Sequence, residues 1–495
     1  MSDFNLTIQM QQPQFYPHEV TTPIKIIQTH ISYVFLTGKY AYKLKKPVDF
    51  GFLDFSTLNK RKHFLEEELR LNKPIAPDIY IEILSISKKD HIYTLADSEC
   101  IVEYVLKMSQ FPQESLLINM FEKGTLTPDH LQELGKKVAQ FHLIAETNDY
   151  ISSFGKIEVI NQSIQDNYQA TQKYIGTAQN LEEYQETKQF TESFLQEKKE
   201  LFLARIKKGK IKECHGDLHL KNICWWHNKI QLFDRIEFNE PFRFVDTIYD
   251  VAFTVMDLDA RGKSDWANIF LNTYLEYTGD WEALPILPLY LCRQAYVRAK
   301  VTSFLLDDSD ISPQQKKEAL STAKSYYHLA WKYTKIKQGK LILMSGLSGS
   351  GKTTIAKKIA PLQNAIHIRS DAVRKHLAKV PLSEHGNKEI YTENWHEKTY
   401  NKLLELGILL VKQGFNVILD ATYSQKKWRT PVIKQAEINH IPLEIIYCNA
   451  PKEVLSDRLS KRSNDISDAT PEVLSKQEFE PFSIAEQQYC KKGNY

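Results

Sequence analysis

Two stretches of the 495-residue chain carry residue types at spacings that do chemistry. In the first, Gly346-Leu347-Ser348-Gly349-Ser350-Gly351-Lys352-Thr353 fits the phosphate-loop pattern G-x-x-x-x-G-K-[ST]. Glycines, lacking a Cβ, let backbone N–H groups turn inward around an anion at the positive end of the following helix dipole. Lys352 then reaches the β- and γ-phosphates and serves the transfer itself, and Thr353 reaches Mg²⁺; Ser348, Ser350 and Thr354 complete the nucleotide-binding run. Leu341–Met344 reads as a short buried strand and Thr354–Ile359 as the first turns of a helix. Loop, lysine, hydroxyl and flanks therefore agree against the plainer reading of a glycine-rich turn. The implied ligand is ATP with Mg²⁺.

The second stretch is Cys214-His215-Gly216-Asp217-Leu218-His219-Leu220-Lys221-Asn222-Ile223-Cys224, followed by Gln231-Leu232-Phe233-Asp234. In the spacing Asp217-x-x-x-x-Asn222 an aspartate can accept the proton of an attacking hydroxyl while the asparagine ligates a metal. Asp234, closing an apolar strand twelve residues later, can hold the same Mg²⁺. Cys214, His215, His219, Cys224 and His227 crowd together enough to raise zinc as a rival, but neither cysteine belongs to a C-x₂₋₄-C knuckle. The bland reading, in which Asp217 and Asn222 only cap turns, leaves Asp234 and His215-Gly216 as coincidence.

These residues need elements to hold them. Residues 30–45 read as a β-hairpin, His30–Leu36 and Tyr40–Lys45 around Thr37-Gly38-Lys39, with Ala41, Lys43 and Lys45 on one face. Ala41-Tyr42-Lys43 resembles the A-x-K of a kinase-type third strand, whose lysine grips the α- and β-phosphates. Lys60–Asn72 is a helical pattern that puts Glu68 on an apolar face, where it wants a cation such as Lys43. Alone, Lys43 also reads as a solvated strand lysine, and Glu68 as one of a charged Glu66-Glu67-Glu68 run. Ile79–Ile86 and Ile101–Leu106 extend the sheet, and Glu103-Tyr104-Val105 reads as a hinge into a helical lobe with patterns at Thr127–Glu146, Leu181–Lys208 and Leu287–Leu306. Beyond residue 337 strands and helices alternate, with strands at Leu341–Met344, Ala365–Ile368, Val417–Leu419 and Leu443–Tyr447, as in a doubly wound α/β domain. At their carboxyl ends lie Asp371, suited to a general base, and Arg374, suited to an anionic substrate group. Asp420 lies there too, placed to serve the metal, and Arg458 to Arg462 gives cations a turn apart on a lid, with Arg462 over the transferring group. The polar residues 483–495 offer no last strand.

The length requires two or three domains, expected at 1–106, 107–337 and 338–495. The absence of a leader pattern or a bilayer-length apolar run, with six scattered cysteines, fits a cytoplasmic protein with free thiols. From Gln338 onward 23 basic residues face 17 acidic ones, against 41 and 44 before it. That excess suits phosphorylated ligands and falls short of a dedicated nucleic-acid stripe, so a small-molecule hydroxyl acceptor is favoured over nucleic acid, with no membrane partner.

His215-Gly216-Asp217-x-His219-x-x-Asn222, Asp234 and Asp250-Val251-Ala252 resemble the aminoglycoside phosphotransferase and choline kinase branch of the protein-kinase-like fold, over residues 30–335. The resemblance implies Asp217 as base, Asn222 and Asp234 as metal ligands, Lys43 with Glu68 at the phosphates, and Asp250 as a support. No G-x-G-x-x-G precedes Tyr33–Leu36, a departure that bears on the activity of this half. Residues 340–482 resemble P-loop kinases related to polynucleotide 5′-hydroxyl kinases, gluconate kinase and zeta toxin, with Asp371, Arg374 and Arg462 at the base, substrate-anion and lid positions. Together they resemble a bacterial two-domain family. The expected architecture is an N-terminal bilobal protein-kinase-like α+β fold followed by a doubly wound α/β P-loop domain. The expected activity is ATP-dependent phosphoryl transfer to small-molecule hydroxyls at two nucleotide sites. A nucleotide-sensing kinase-like half beside a P-loop ATPase switch, or a nucleic-acid 5′-end kinase in the C-terminal half, are the alternatives.

Overall fold

The protein is described by a computed structural model over residues 2–51, 53–309, 311–335, 337–462 and 465–491. The chain forms two compact units, one of residues 1–130, 144–156 and 203–250, the other of residues 131–143, 157–202 and 251–495.

The first unit is built on an antiparallel sheet of β1 (Lys25–Gln28), β2 (Ser32–Leu36), β3 (Tyr40–Lys45), β4 (Tyr80–Lys89), β5 (Ile92–Leu95) and β6 (Ile101–Ser109), in the order β1-β2-β3-β6-β4-β5. The β2–β3 turn needs Gly38, whose φ is +100° and whose Cβ would lie 2.3 Å from Thr21 Oγ1. Period-two alternation sends Phe35, Tyr42 and Leu44 to a core shared with Leu6, Met10, Phe15 and Tyr16. Against the other face packs the Leu58–Asn72 helix, N-capped by Thr57 and anchored by Leu65 on Ile79, Tyr80 and Leu106. The hinge expected at Glu103–Val105 is not there. These residues lie inside β6, paired there with Leu84–Ile86 of β4, and the strand continues to Ser109, gaining β3 on its other side from Leu106 on. Two short antiparallel pairs follow: β7 (Ile211–Glu213) with β10 (Phe244–Asp246), and β8 (Ile223–Trp226) with β9 (Lys229–Leu232). They bracket the two segments that carry Asp217, Asn222 and Asp234.

The second unit joins helices to a parallel sheet. Its helical part includes Ile157–Thr171, Ser264–Thr278, Leu287–Phe304 and Pro313–Lys332, with Tyr168, Tyr296 and Tyr327 stacked edge-on and Tyr296 Oη 2.7 Å from Thr171 Oγ1. The expected Leu181–Lys208 helix breaks at Lys198 into Leu181–Glu197 and Lys199–Lys207. The sheet comprises β11 (Leu341–Ser345), β12 (Ala365–Arg369), β13 (Asn416–Asp420) and β14 (Leu443–Tyr447) in the order β12-β13-β11-β14, all parallel. The chain leaves the central β11 in both directions, which makes the domain doubly wound, and its carboxyl ends gather the loops after β11, β12 and β13. In place of a fifth strand, Cys490 makes a single parallel bridge to Ile445. Among the described residues no helix is long and apolar enough to cross a membrane.

Candidate active sites

In the loop after β11, Gly346, Gly349 and Gly351 take φ of +145°, +80° and +91°. A Cβ on Gly346 would stand 2.1 Å from the Cys448 carbonyl, and one on Gly349 2.8 Å from that of Leu455, so glycine is required at both. The Gly346 N–H goes to Thr422 O at 2.8 Å, joining the loop to the segment after β13. Lys352, 8% exposed, curls back to donate to Leu347 O at 2.8 Å, which puts its ammonium inside the loop. Burial pulls that ammonium below its ordinary pKa, and Asp420 opposes the shift. Thr353 Oγ1 donates to Asp420 Oδ2 at 2.7 Å, and His367 Nε2 donates to the same oxygen at 3.0 Å. Burial would raise the Asp420 carboxyl, yet the His367 hydrogen bond and charge, with Arg369 and Lys352, hold it at about 2. Hydroxyl and carboxylate thus stand together beside the lysine, an all-oxygen set that suits Mg²⁺. Ser348 donates its amide to Gln477 Oε1 at 3.0 Å, Ser350 donates its own to Leu347 O at 3.2 Å, and Thr354 is exposed on the first helical turn.

Past the carboxyl end of β12, Asp371 and Arg374 lie one turn apart on the Ser370–Leu377 helix and pair at 3.1 Å. Arg374 is buried, with Nη2 3.4 Å from His396 Nδ1 and its guanidinium 5.1 Å from the Tyr391 ring centroid. Burial and then Arg374 lower the His396 pKa, so this ring stays neutral beside the guanidinium. Of the cations expected on a lid, Arg458 reaches the loop, donating to Gly349 O at 3.4 Å, while Arg462 is exposed and acts on Lys352 through its charge.

In the first unit Lys43 Nζ lies 2.7 Å from Glu68 Oε1 and 2.6 Å from Asp234 Oδ1. The strand, the helix and the segment after β9 therefore meet on one ammonium, whose pKa is well above ordinary because Asp234 and Glu68 outweigh its burial. Lys45, two residues along the same strand face, bonds Glu68 Oε2 at 2.9 Å and also Glu237. Burial would raise Glu68, and the two lysines instead hold it at about 2. Asn222 Nδ2 donates to Asp217 Oδ2 at 2.9 Å and to Asp217 O at 3.0 Å, which fixes the amide and turns its oxygen the other way. Asp250 accepts from the backbone N–H of His215 at 3.0 Å and of Gly216 at 2.8 Å. A Cβ on Gly216 would meet Phe242 O at 2.6 Å, so the approach to Asp250 requires glycine. Asp234 has φ of +63° and donates its N–H to Tyr80 Oη at 3.0 Å, while the neighbouring Arg235 guanidinium donates to Leu71 O at 2.7 Å and Glu213 O at 2.7 Å.

The residues suggested for zinc do not converge. Cys224 packs with Leu65, Ala76 and Ile79, Cys214 Sγ points at Val245 O, and burial raises both thiols. His215 spends its ring on Phe233 O at 2.9 Å and His227 stacks on Trp226. His367, Arg369, Glu237 and Gln477 join these sites from outside the sequence motifs. The first two were findable: in a strand ending at an active-site edge, alternate polar residues face one side.

Residues 341–480 match the protein-family profile described as an AAA domain. An uncharacterised protein of Mycobacterium tuberculosis (strain ATCC 25618 / H37Rv) is 28% identical over 464 residues, 92% of this chain and 90% of that protein. The cytidylate kinase of Methanocaldococcus jannaschii is 31% identical over 124 residues, 25% of this chain and 65% of that enzyme. Among solved structures, amicoumacin kinase hAmiN in complex with AMP-PNP, Ca²⁺ and Ami covers 66% of this chain and 93% of its own at 14% identity and a TM-score of 0.40. The profile match thus falls on the parallel-sheet domain that carries the phosphate loop.

Proposed function

We propose that the protein is an ATP-dependent phosphotransferase with two nucleotide sites, each moving the γ-phosphoryl group to a hydroxyl of a small molecule. The observation that carries this reading is the Lys352 ammonium inside its glycine loop beside the Thr353–Asp420 pair, 2.7 Å apart. At the C-terminal site Asp371 takes the acceptor's hydroxyl proton as that oxygen attacks the γ-phosphorus. The γ-phosphorus–oxygen bridge breaks and ADP leaves, with Lys352 and the lid arginines Arg458 and Arg462 countering charge on the phosphoryl oxygens. Arg374 holds an anionic group of the acceptor. At the kinase-like site Asp217 is the base and Lys43, fixed by Glu68, meets the phosphates. Thr353 with Asp420, and Asn222 with Asp234, would hold Mg²⁺, which when bound neutralises the phosphates. Their donors are hard oxygens, matching that ion.

A second reading, in which the kinase-like half only senses nucleotide, is favoured by one feature: β1 and β2 are joined by Thr29-His30-Ile31, tied by Thr29 Oγ1 to Ser32 N at 2.9 Å, with no glycine loop. Transfer from labelled ATP to a panel of hydroxyl acceptors, with Asp217→Asn and Asp371→Asn compared at equal nucleotide occupancy, separates the two. Two separable losses of about 10²–10⁴ in rate are expected. Loss only in Asp371→Asn makes the first half a sensor, and loss in neither variant refutes the enzyme.

A further inference from the structure

β12 is an edge strand of the parallel sheet, so the backbone groups on its outer side need partners from elsewhere. The Ser264–Thr278 helix supplies them from one row of side chains spaced by four. Asn272 donates Nδ2 to Ala365 O at 2.9 Å and accepts the His367 N–H on Oδ1 at 2.8 Å, the same donor and acceptor that a neighbouring strand presents. Asn268 donates to the same Ala365 carbonyl at 3.0 Å and receives Asn272 Nδ2 on its own oxygen at 2.9 Å. One turn on, Glu276 takes the Arg369 guanidinium at 3.2 Å, and its carbonyl accepts from His376 Nε2 at 2.7 Å.

The strand residues held in this way are those that reach the phosphate-loop site. His367 Nε2 is on the Asp420 oxygen that also receives Thr353. Arg369 pairs at its other end with Asp465, on the segment that follows the expected lid, and Asp371 lies in the first turn of the next helix two residues later. A displaced His367 backbone would swing its imidazole and release the Asp420 carboxylate. An Arg369 without Glu276 would be left to Asp465.

We propose that Asn272 and Glu276 are positioning residues of the phosphate-loop site, so that the Ser264–Thr278 helix belongs to the machinery of the C-terminal half. The proposal rests on the reading of that site as an Mg·ATP site. Asn272 acts through His367 on the orientation of Asp420. Glu276 acts through Arg369, which it shares with Asp465.

The test uses the full chain in an Asp234→Asn background, so that binding of a non-hydrolysable ATP analogue reports the C-terminal site. Analogue affinity is measured calorimetrically with and without Mg²⁺. In Asn272→Leu, which keeps the branched shape and loses both hydrogen bonds to β12 as well as the one to Asn268, the Mg²⁺ concentration needed for tight binding rises about 10–100-fold, the usual range for removing a partner of a metal-binding carboxylate. Metal-free affinity, set by Lys352 and its loop, stays as before. Adding His367→Asn to Asn272→Leu brings little further loss, because the two act in series. Glu276→Gln, which keeps shape and threatens folding less, raises the Mg²⁺ requirement roughly 2–30-fold. Unchanged Mg²⁺ dependence in both single variants overturns the proposal. So does an equal loss of metal-free and metal-dependent affinity, which marks a purely structural role. If Lys352→Ala in the same background binds the analogue as before, the Mg·ATP reading itself fails, a result distinct from either.

Discussion

Lys45→Met tests the buried charge cluster of the first unit with a number attached. Lys45 is 1% exposed and sits between Glu68, 0% exposed, and Glu237, 4% exposed. Removing it leaves Lys43 as the remaining lysine against Glu68, Asp234 and Glu237. A buried carboxylate stripped of its cation takes up a proton rather than stay charged. Glu237 is the group placed to do so, since burial already pushes it above its ordinary 4.5, with Lys45 the main opposing charge. Holding a carboxyl of ordinary pKa 4.5 neutral at pH 7 costs about 3.4 kcal/mol at 1.36 kcal/mol per unit, inside the roughly 3–5 kcal/mol known for breaking buried ion pairs. The same cost falls to about 1.4 kcal/mol at pH 5.5, so the variant approaches the wild type as the solution becomes more acidic. Amide hydrogen exchange of β3 and the Leu58–Asn72 helix, corrected for intrinsic rates, reads this locally at both pH values. A penalty below 1 kcal/mol at pH 7, or one equal at the two pH values, would refute the reasoning.

Gly346→Ala forces a Cβ to within 2.1 Å of the Cys448 carbonyl at a φ of +145°, so loss of Mg·ATP binding at the C-terminal loop is expected, together with about 1–3 kcal/mol of stability. Calorimetric titration and a melting curve check both, and wild-type affinity in this variant would contradict the loop geometry. Asp420 and Glu68 are both held at about 2, so the stabilisation they confer is complete above their ordinary values of 3.8 and 4.5 and drains as pH falls toward 2. An acid titration by near-ultraviolet circular dichroism should lose native signal across that window. A native spectrum retained to pH 2 would count against it.

The architecture was legible because it is written in short-range pattern. Leu341–Ser345 is apolar throughout and its glycine loop follows at once, while Phe35, Tyr42 and Leu44 alternate as a half-buried sheet must. β1, with four exposed residues, and the short β5 lacked that pattern and were missed. The pairing of Lys43 with Glu68 could be guessed because a carboxylate on an apolar helix face needs a cation. The bond from Lys45 to Glu237, 192 residues apart, could not, since nothing local marks Glu237 as buried. A separation of 95 residues from His367 likewise hid Asn272, an unremarkable asparagine on a helix until β12 lies against it. For the expected lid, spacing put cations a turn apart, and only packing separated Arg458, on the Gly349 carbonyl, from the exposed Arg462.

The parallel sheet has a flank at β12 and another at β14, and each meets backbone-matching groups that are not part of a regular strand. Asn272 does this for β12; for β14, Ile445 accepts the Lys491 N–H at 3.0 Å and donates to Tyr489 O at 2.8 Å. Open strand flanks are templates on which another chain can add itself, and natural proteins blunt them with charges, bulges or covering segments. Here a side-chain amide on one side and the turn that ends in Cys490 on the other occupy those positions. The domain thereby gains resistance to edge-to-edge aggregation without the length of chain that a further strand would require.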